Sequence, residues 1–232
     1  MTPRLEEAAQ HARRLASDVD GWLSEAQGRA LLDAAATGSG AIVEIGSWKG
    51  RSTIWLAVGA RLAGRRVHAI DPHRGSLEDP GAATLPEFLD NLRRAGVAEV
   101  VEPLVMTSEE AAAQLTGPIG LLFIDGDHSY HAARRDAELW LPRLSEGGTV
   151  MFHDAATAAY TGPRRVVREM VCGDPRFQAI ARVGSMIVAQ RTGRRGVRAA
   201  AWARLAAVLL YFYDAKRGLR RLGEWTGVRA RR

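Results

Sequence analysis

The sequence of 232 residues predicts an α/β fold built on a mainly parallel sheet with helices on both faces. Short apolar runs alternate with stretches of helical periodicity, and short connections join them. The runs are apolar throughout instead of alternating with polar residues, as expected for strands that helices cover on both sides. These two observations favour parallel pairing with helical crossovers.

Five short segments are predicted to be strands, at residues 41–45, 67–70, 99–105, 121–124 and 149–152. Residues 179–190 fit two antiparallel edge strands around Gly184. Helices are predicted over residues 51–62, 85–95, 129–144 and 164–171. Two more helical stretches, 5–19 and 22–36, precede the first strand, and Asp20-Gly21 separates them. The chain therefore divides into N-terminal helices (1–40), a catalytic body (41–192) and a C-terminal extension (193–232).

The composition is that of a globular protein, with 47% apolar and 25% charged residues. A single cysteine, Cys172, cannot form an internal disulfide, which favours a reducing cytoplasm. The first residues carry charge and lack the apolar region of a secretory signal. We therefore expect a cytoplasmic protein.

The net charge of +6 is concentrated in the C-terminal extension. Residues 197–225 fit a basic amphipathic helix whose longest uncharged apolar run, 205–213, is far shorter than the ~20 residues that span a bilayer. We expect this helix to pack on the domain or on a second subunit, which would make a dimer, and peripheral contact with an anionic membrane is the alternative. The chain lacks zinc-finger spacing and aromatic RNA-binding motifs, so nucleic acid is not an expected partner.

Acidic residues end four of the predicted strands, namely Glu44, Asp71, Asp125 and Asp154. The carboxyl ends of parallel strands line the ligand crevice of an open sheet. Four carboxylates gathered there repel one another unless a cation lies among them. A sulfonium cofactor and a divalent metal both meet that requirement.

The turn after the first strand reads Glu44-Ile45-Gly46-Ser47-Trp48-Lys49-Gly50-Arg51-Ser52. Gly46 allows a ligand to approach the backbone, and Ser52 lies near the N-terminus of the next helix. The spacing G-x-x-x-G is neither that of dinucleotide binders nor that of a P-loop, so a simple strand-to-helix turn is the alternative.

One later residue and one later segment each allow two interpretations, one functional and one structural. Asp71 can accept both hydroxyl hydrogens of a ribose, or it can be a turn aspartate before proline. The segment Met106-Thr107-Ser108 borders an adenine in one interpretation and caps a helix in the other.

The segment Phe123-Ile124-Asp125-Gly126-Asp127-His128-Ser129-Tyr130 and the segment Phe152-His153-Asp154 are the most informative. Carboxylates from two neighbouring strand ends are the ligands that Mg²⁺ prefers. A nitrogen ligand from His153 would shift the preference toward softer metals, and a structural histidine is the alternative.

Taken together, residues 44–52, 70–73, 123–130 and 148–154 resemble class I S-adenosylmethionine (SAM) dependent methyltransferases. More narrowly, they resemble the metal-dependent O-methyltransferases related to macrocin-type sugar methyltransferases and, more distantly, catechol O-methyltransferases. The resemblance covers about residues 25–190. It implies a Rossmann-like methyltransferase fold with a seven-stranded sheet, SAM as donor, and Mg²⁺ or another divalent cation.

The resemblance also implies roles for individual residues. SAM contacts are expected from Glu44, Gly46, Ser47, Trp48, Ser52, Asp71, Ser108 and Asp125. The metal ligands that the resemblance implies are Asp125 and Asp154, and His153, proposed above from its position, is the expected third ligand. The expected catalytic residues are His128 and Asp125, with His128 as general base. The chain departs from sugar-type relatives in having His153 where they have Glu, and from catechol types in having Ala155 where they have Asn.

The sequence thus predicts a SAM-dependent, metal-assisted O-methyltransferase that acts on a sugar hydroxyl of a glycoside or polysaccharide intermediate. Acceptor contacts are expected from residues 74–86 and 155–162. The first alternative is a catechol, phenolic or other small-molecule acceptor. The second is a non-catalytic SAM-binding partner subunit.

Overall fold

A computed structural model describes residues 3–75 and 83–193 of the chain. Its centre is a seven-stranded sheet in the order β3-β2-β1-β4-β5-β7-β6. The strands are β1 (Ala41–Ile45), β2 (Val67–Ile70), β3 (Val101–Leu104), β4 (Ile119–Ile124), β5 (Leu144–Phe152), β6 (Phe177–Val183) and β7 (Met186–Arg191). The first five strands pair in parallel, which confirms the predicted fold class.

Helices cover both faces of this sheet. They are α1 (Pro3–Ala16), α2 (Glu25–Thr37), α3 (Arg51–Leu62), α4 (Leu85–Arg94), α5 (Ser108–Gln114), α6 (Tyr130–Trp140) and α7 (Gly162–Val166). One core cluster joins α1–α4 to one face of the sheet through residues such as Ile42 and Phe123. A second cluster joins α5–α7 to the opposite face through Val43 and Ile124. Neighbouring residues of one strand thus enter different cores, which explains why β4 is apolar and buried along its whole length.

The strand order reverses direction between β1 and β4. The chain runs outward from β1 to β2 and β3, then returns to place β4 on the other side of β1. Loops after β1 and β4 therefore diverge to opposite sides and leave a crevice between them at the carboxyl edge of the sheet. The predicted functional residues follow these strands.

The C-terminal part of the sheet is antiparallel. β7 pairs with β5 on one side and β6 on the other, with Gly184 in the turn that joins β6 to β7. The prediction of two antiparallel strands here is confirmed, but the prediction that both are edge strands is wrong. Of these two strands, β6 alone lies at an edge of the sheet, because β7 inserts between β6 and β5.

Several predicted boundaries move by a few residues. The stretch 22–36 begins as a helix only at Glu25, because Ser24 is its N-cap and forms a capping box with Gln27. The stretch 129–144 ends its α-helical part at Trp140, and Pro142 lies in the short 3₁₀ turn that follows. The stretch 164–171 is α-helical to Val166 and continues as a π-helix over Val167–Cys172.

The predicted basic helix at 197–225 and most of the C-terminal extension lie outside the described residues. The same holds for residues 76–82 of the predicted acceptor loop. Within residues 3–75 and 83–193, none of the helices has the length and apolar character needed to cross a bilayer.

Candidate active site at the carboxyl edge of the sheet

A cavity of about 600 Å³ opens at the carboxyl edge of β1, β2, β4 and β5. Ten residues that the sequence predicts for the donor, metal or catalytic site line it: Gly46, Ser47, Trp48, Ser52, Asp71, Ser108, Asp125, His128, His153 and Asp154. The predicted site residues, with one exception described below, are thus brought together in a single cavity.

The turn after β1 forms the floor of the cavity. Gly46 has φ of 85°, a left-handed conformation that favours glycine. Its amide continues the ladder by donating to the carbonyl of Ile70, and the amide of Asp125 donates to the carbonyl of Ile45. A Cβ on Gly46 would collide with the backbone carbonyl of Asp125. The turns after β1 and β4 therefore touch through this glycine.

Asp71 holds two turns in place with its side chain. One carboxylate oxygen accepts the backbone N–H of Trp48 at 2.8 Å, and the other accepts the backbone N–H of His73 at 2.6 Å. Trp48 and His73 have φ of 42° and 51°, which non-glycine residues rarely adopt. The side chain of His73 is anchored in turn by Thr84, 2.9 Å away. The carboxylate is thus fixed at the cavity wall with further lone pairs available to a ligand.

Glu44 is the exception among the predicted donor contacts. Its side chain is fully buried beneath the cavity, and it accepts hydrogen bonds from Ser52 at 2.5 Å and Thr53 at 2.6 Å. Burial raises the pKa of Glu44 to about 8, helped by the negative charges of Asp125 and Asp71 and opposed by the two hydroxyl donors. A direct contact with a ligand does not fit this position. Glu44 instead fixes the first turn of α3.

The raised pKa of Glu44 predicts a stability that depends on pH. Between pH of about 4.5 and 8 the unfolded chain loses this proton while the folded chain keeps it, so the free energy of unfolding falls as pH rises. Glu44→Gln removes that dependence, and we expect its stability relative to the wild type to rise by roughly 3 kcal/mol across the window. Urea denaturation at pH 5, 6.5 and 8 measures this. The exposed Glu7→Gln is the control, and parallel pH profiles of wild type and Glu44→Gln would contradict the expectation.

A cluster of histidine and carboxylate groups occupies the β4–β5 end of the cavity. Nδ1 of His153 lies 3.0 Å from Oδ1 of Asp125 and 3.6 Å from Oδ2 of Asp154. Nε2 of His128 lies 3.6 Å and 3.5 Å from the same two oxygens. One ligand atom from each of Asp125, His128 and His153 lies within 4.8 Å of the others, so these three groups can hold one ion.

The charges of this cluster stabilise one another. Burial raises the pKa of Asp125, but the attraction of His128 and His153 outweighs it, so the pKa of Asp125 is lowered. Burial lowers the pKa of His153, and Asp125 and Asp154 outweigh it, so the pKa is raised. Asp154 has φ of 51°, and its place in the cluster offsets that strain. The cluster therefore favours ionised carboxylates.

Two aromatic contacts shape the opening of the cavity. The ring of His128 stacks on Tyr160 with centroids 4.1 Å apart. Trp48 stacks on Trp22 with centroids 5.0 Å apart, and Trp22 is 64% exposed. Sequence reasoning missed Trp22 because the helix was predicted to start there, although the capping box at Ser24 marks the true start.

Asp136 is a second residue that sequence reasoning missed. It lies on α6 and lines the cavity with only 7% of its surface exposed. Trp140 Nε1 donates to Ser108 Oγ at 2.8 Å, and Ser108 in turn forms a hydrogen bond with Asp136. No local motif marks Asp136, because its burial depends on how α6 packs against α5.

Comparison with known proteins agrees with this architecture. Residues 43–155 match a protein family described as a methyltransferase domain, and this range runs from within β1 to just past the end of β5. The match covers the strands whose carboxyl ends line the cavity.

Individual relatives point the same way. The chain is 38% identical over 135 residues to a catechol O-methyltransferase of Mycobacterium tuberculosis, a match that covers 57% of this chain and 56% of that protein. The O-methyltransferase TomG of Streptomyces achromogenes, solved with SAM, shares the fold with a TM-score of 0.59 and 23% identity over 83% of this chain and 91% of its own. An O-methyltransferase of Bacillus cereus, solved with S-adenosylhomocysteine (SAH), has a TM-score of 0.57 and 22% identity over 82% and 92%. The chain spans little more than half the length of the catechol enzyme.

Proposed function

We propose that this protein is a SAM-dependent O-methyltransferase. The observation that carries the proposal is the convergence of the Gly46 turn, Asp71, and the Asp125–His128–His153 cluster in one cavity. A sulfonium donor and an acceptor hydroxyl must meet in line for methyl transfer, so the protein has to bind both at one place. One cavity meets this need when it offers a carboxylate for the donor's ribose at one side and a proton acceptor for the hydroxyl at the other.

The donor fits the β1–β2 side of the cavity. Asp71 is positioned to accept the ribose hydroxyls, since each of its oxygens is already oriented by a backbone N–H. Ser47 Oγ and Arg51 Nε are buried at the cavity, and neither has a hydrogen-bond partner within the described part of the chain. Buried polar atoms are normally satisfied, so these two support a polar ligand such as the amino-acid end of SAM.

A divalent metal fits the β4–β5 side. Metal–ligand bonds of about 2.1 Å place neighbouring ligand atoms about 3.0–3.4 Å apart, close to the 3.0–3.6 Å found between the histidine nitrogens and the carboxylate oxygens. Asp125, His153 and Asp154 would hold the ion, and His128 is near enough to join them. A bound cation lowers the pKa of an oxygen that it coordinates, which aids an alcohol nucleophile. Mixed nitrogen and oxygen donors suit Mn²⁺ or Zn²⁺ as well as Mg²⁺.

His128 is the candidate general base. Nε2 is buried without a hydrogen-bond partner among the described residues and faces the two carboxylates. The Tyr160 ring packs on the imidazole and limits its rotation. A histidine held in this way can accept the acceptor hydroxyl proton on Nε2 as the oxygen attacks the methyl carbon.

Two classes of acceptor hydroxyl fit the cavity. A sugar hydroxyl is the class that the sequence predicts. Trp22, Trp48 and Tyr160 all line the cavity, and these rings, together with the catechol O-methyltransferase relative, favour a phenolic acceptor as the second candidate. Both classes present a hydroxyl group to the same base.

A methyl-transfer screen with SAM over mono- and oligosaccharides and catechols tests the proposal. We expect turnover with at least one class, and a fall of at least about 10-fold after chelation that added divalent metal restores. Turnover that chelation leaves unchanged would remove the metal from the proposal. Binding of SAH without turnover on either class would support the non-catalytic alternative.

A further inference from the structure

The three residues expected to hold the metal offer two kinds of donor atom. Asp125 and Asp154 offer carboxylate oxygens, and His153 offers a ring nitrogen. Nδ1 of His153 lies 3.0 Å from Oδ1 of Asp125 and 3.6 Å from Oδ2 of Asp154, so the nitrogen is close to both carboxylates. An ion that binds here therefore meets a mixed set of donors instead of the oxygen-only set that suits Mg²⁺.

The imidazole of His153 is fixed by its surroundings. Its backbone N–H donates to the carbonyl of Ile124 at 3.0 Å, which extends the pairing of β4 with β5. Its ring packs edge-on against Phe123 with centroids 6.2 Å apart, and only 4% of the side chain is exposed. Nε2 has no hydrogen-bond partner within the described ranges, so Nδ1 is the nitrogen that the ring presents to the carboxylates. A donor buried in this way does not exchange freely with water.

Divalent ions differ in how they respond to a fixed nitrogen donor. Mg²⁺ demands a near-ideal octahedron of oxygens and keeps several of its waters. An imidazole that cannot withdraw occupies a position that Mg²⁺ would fill with oxygen. Co²⁺ and Zn²⁺ bind imidazole well, and the affinity of nitrogen and oxygen sites generally rises from Mn²⁺ to Co²⁺. The donor set therefore favours the later transition ions.

We propose that His153 makes this a site for a late first-row transition ion, of the class of Co²⁺ and Zn²⁺, in preference to Mg²⁺. The inference rests on the proposed function, since it needs the metal site described there. The sequence predicts Mg²⁺ or another divalent cation, and the position of His153 narrows that choice. The selecting atom is Nδ1 of His153.

Calorimetric titration of the full chain, without an affinity tag, with Mg²⁺, Co²⁺ or Zn²⁺ alone tests this. We expect the wild type to bind Co²⁺ and Zn²⁺ at least about 100-fold more tightly than Mg²⁺. His153→Asn replaces the ring nitrogen with a neutral amide oxygen, so we expect the preference to fall by about 10-fold or more. X-ray absorption of the Zn²⁺-loaded wild type is expected to show scattering by an imidazole ring, which an oxygen-only site lacks.

His68→Asn is the matched control. Nδ1 of His68 lies 3.1 Å from Oε2 of Glu102, so this is another pairing of histidine with carboxylate, and it does not line the cavity. An ion held there adventitiously would be lost in this variant. We expect His68→Asn to keep the wild-type affinities for all three ions.

The outcomes separate the two proposals. A wild type that binds none of the three ions would remove the metal from the proposed function and this inference with it, while SAH titration tests the donor independently. A wild type that binds Mg²⁺ as tightly as Co²⁺ and Zn²⁺ would overturn the role of His153 and leave the metal site standing. An undiminished preference in a folded His153→Asn would do the same. If His153→Asn does not fold, a Zn²⁺ spectrum of the wild type without imidazole scattering overturns the inference.

Discussion

Replacing His128 with alanine is expected to lower the turnover of methyl transfer by about 10²–10⁴-fold, the usual contribution of a general base. SAH affinity is expected to stay within a few-fold of the wild type, because His128 lies on the β4 side of the cavity and Asp71 on the β2 side. Single-turnover kinetics beside calorimetry with SAH measures the two effects separately. The substrate for the assay is whichever acceptor the screen identifies.

The matched control is His131→Ala. His131 is exposed on the first turn of α6, three residues from His128 and away from the carboxylates. It should leave turnover unchanged. Full activity in a folded His128→Ala would discard the role of His128 as a base.

The same variant separates two roles of His128. Its nitrogen lies as close to Asp125 and Asp154 as a metal ligand would, so both a base and a ligand are compatible with the geometry. Metal content measured by elemental analysis after dialysis distinguishes them. A base leaves the metal in place, whereas the loss of a ligand costs about 10- to 100-fold or more in metal affinity.

Much of the fold could be predicted because the strands carry their own signal. Strands covered on both faces are apolar on both sides, and the run at 121–124 shows this. Parallel pairing then places every strand's carboxyl end at one edge. This is why Asp71, Asp125 and Asp154 could be assigned to one site before their distances were known.

Two capping boxes mark helix starts that the sequence analysis either misplaced, at α2, or gave only as an alternative, at α5. Ser24 with Gln27, and Thr107 with Glu110, are both capping boxes readable in the sequence. The capping box at Ser24 sets the start of α2, so Trp22 precedes the helix and lies at the cavity opening. The second marks α5, whose start at Ser108 is what brings this hydroxyl to Asp136.

Other features depend on tertiary structure alone. Glu44 ends a strand as Asp71 does, yet its side chain points below the sheet edge to Ser52 and Thr53. Asp136 is one of several polar residues on α6, and only the packing of that helix decides which of them is buried. No periodicity distinguishes an acid in a cavity from an acid in solvent.

Backbone strain marks the same edge of the sheet. Within the described ranges, the non-glycine residues with positive φ are Trp48, His73 and Asp154, and each follows a strand that ends at the cavity. Asp71 holds the first two through their backbone amides. Strain of this kind persists where surrounding contacts over-determine the conformation, as at ligand-binding turns. Contacts within the protein itself therefore hold the turns at Trp48 and His73.

Gly46→Ala is expected to destabilise the fold by about 2–5 kcal/mol and to abolish measurable SAH binding. Two effects combine here. An alanine at φ of 85° is strained, and its Cβ would come closer than 3.0 Å to the carbonyl of Asp125, a separation that real Cβ atoms essentially never show. Relief of that collision would push the β4 turn, with Asp125, away from the β1 turn.

Two further glycines separate these effects. Gly64 has φ of 63° with open space around it, so Gly64→Ala measures the cost of the left-handed conformation alone, about 1–2 kcal/mol. Gly126 lies in the β4 turn without positive φ, and a Cβ there makes ordinary contacts, so Gly126→Ala should barely change stability. Urea denaturation of the three variants gives the comparison. A Gly46→Ala variant no less stable than Gly64→Ala would show that the turns after β1 and β4 do not touch as described, and the shared floor of donor and metal sites would lose its basis.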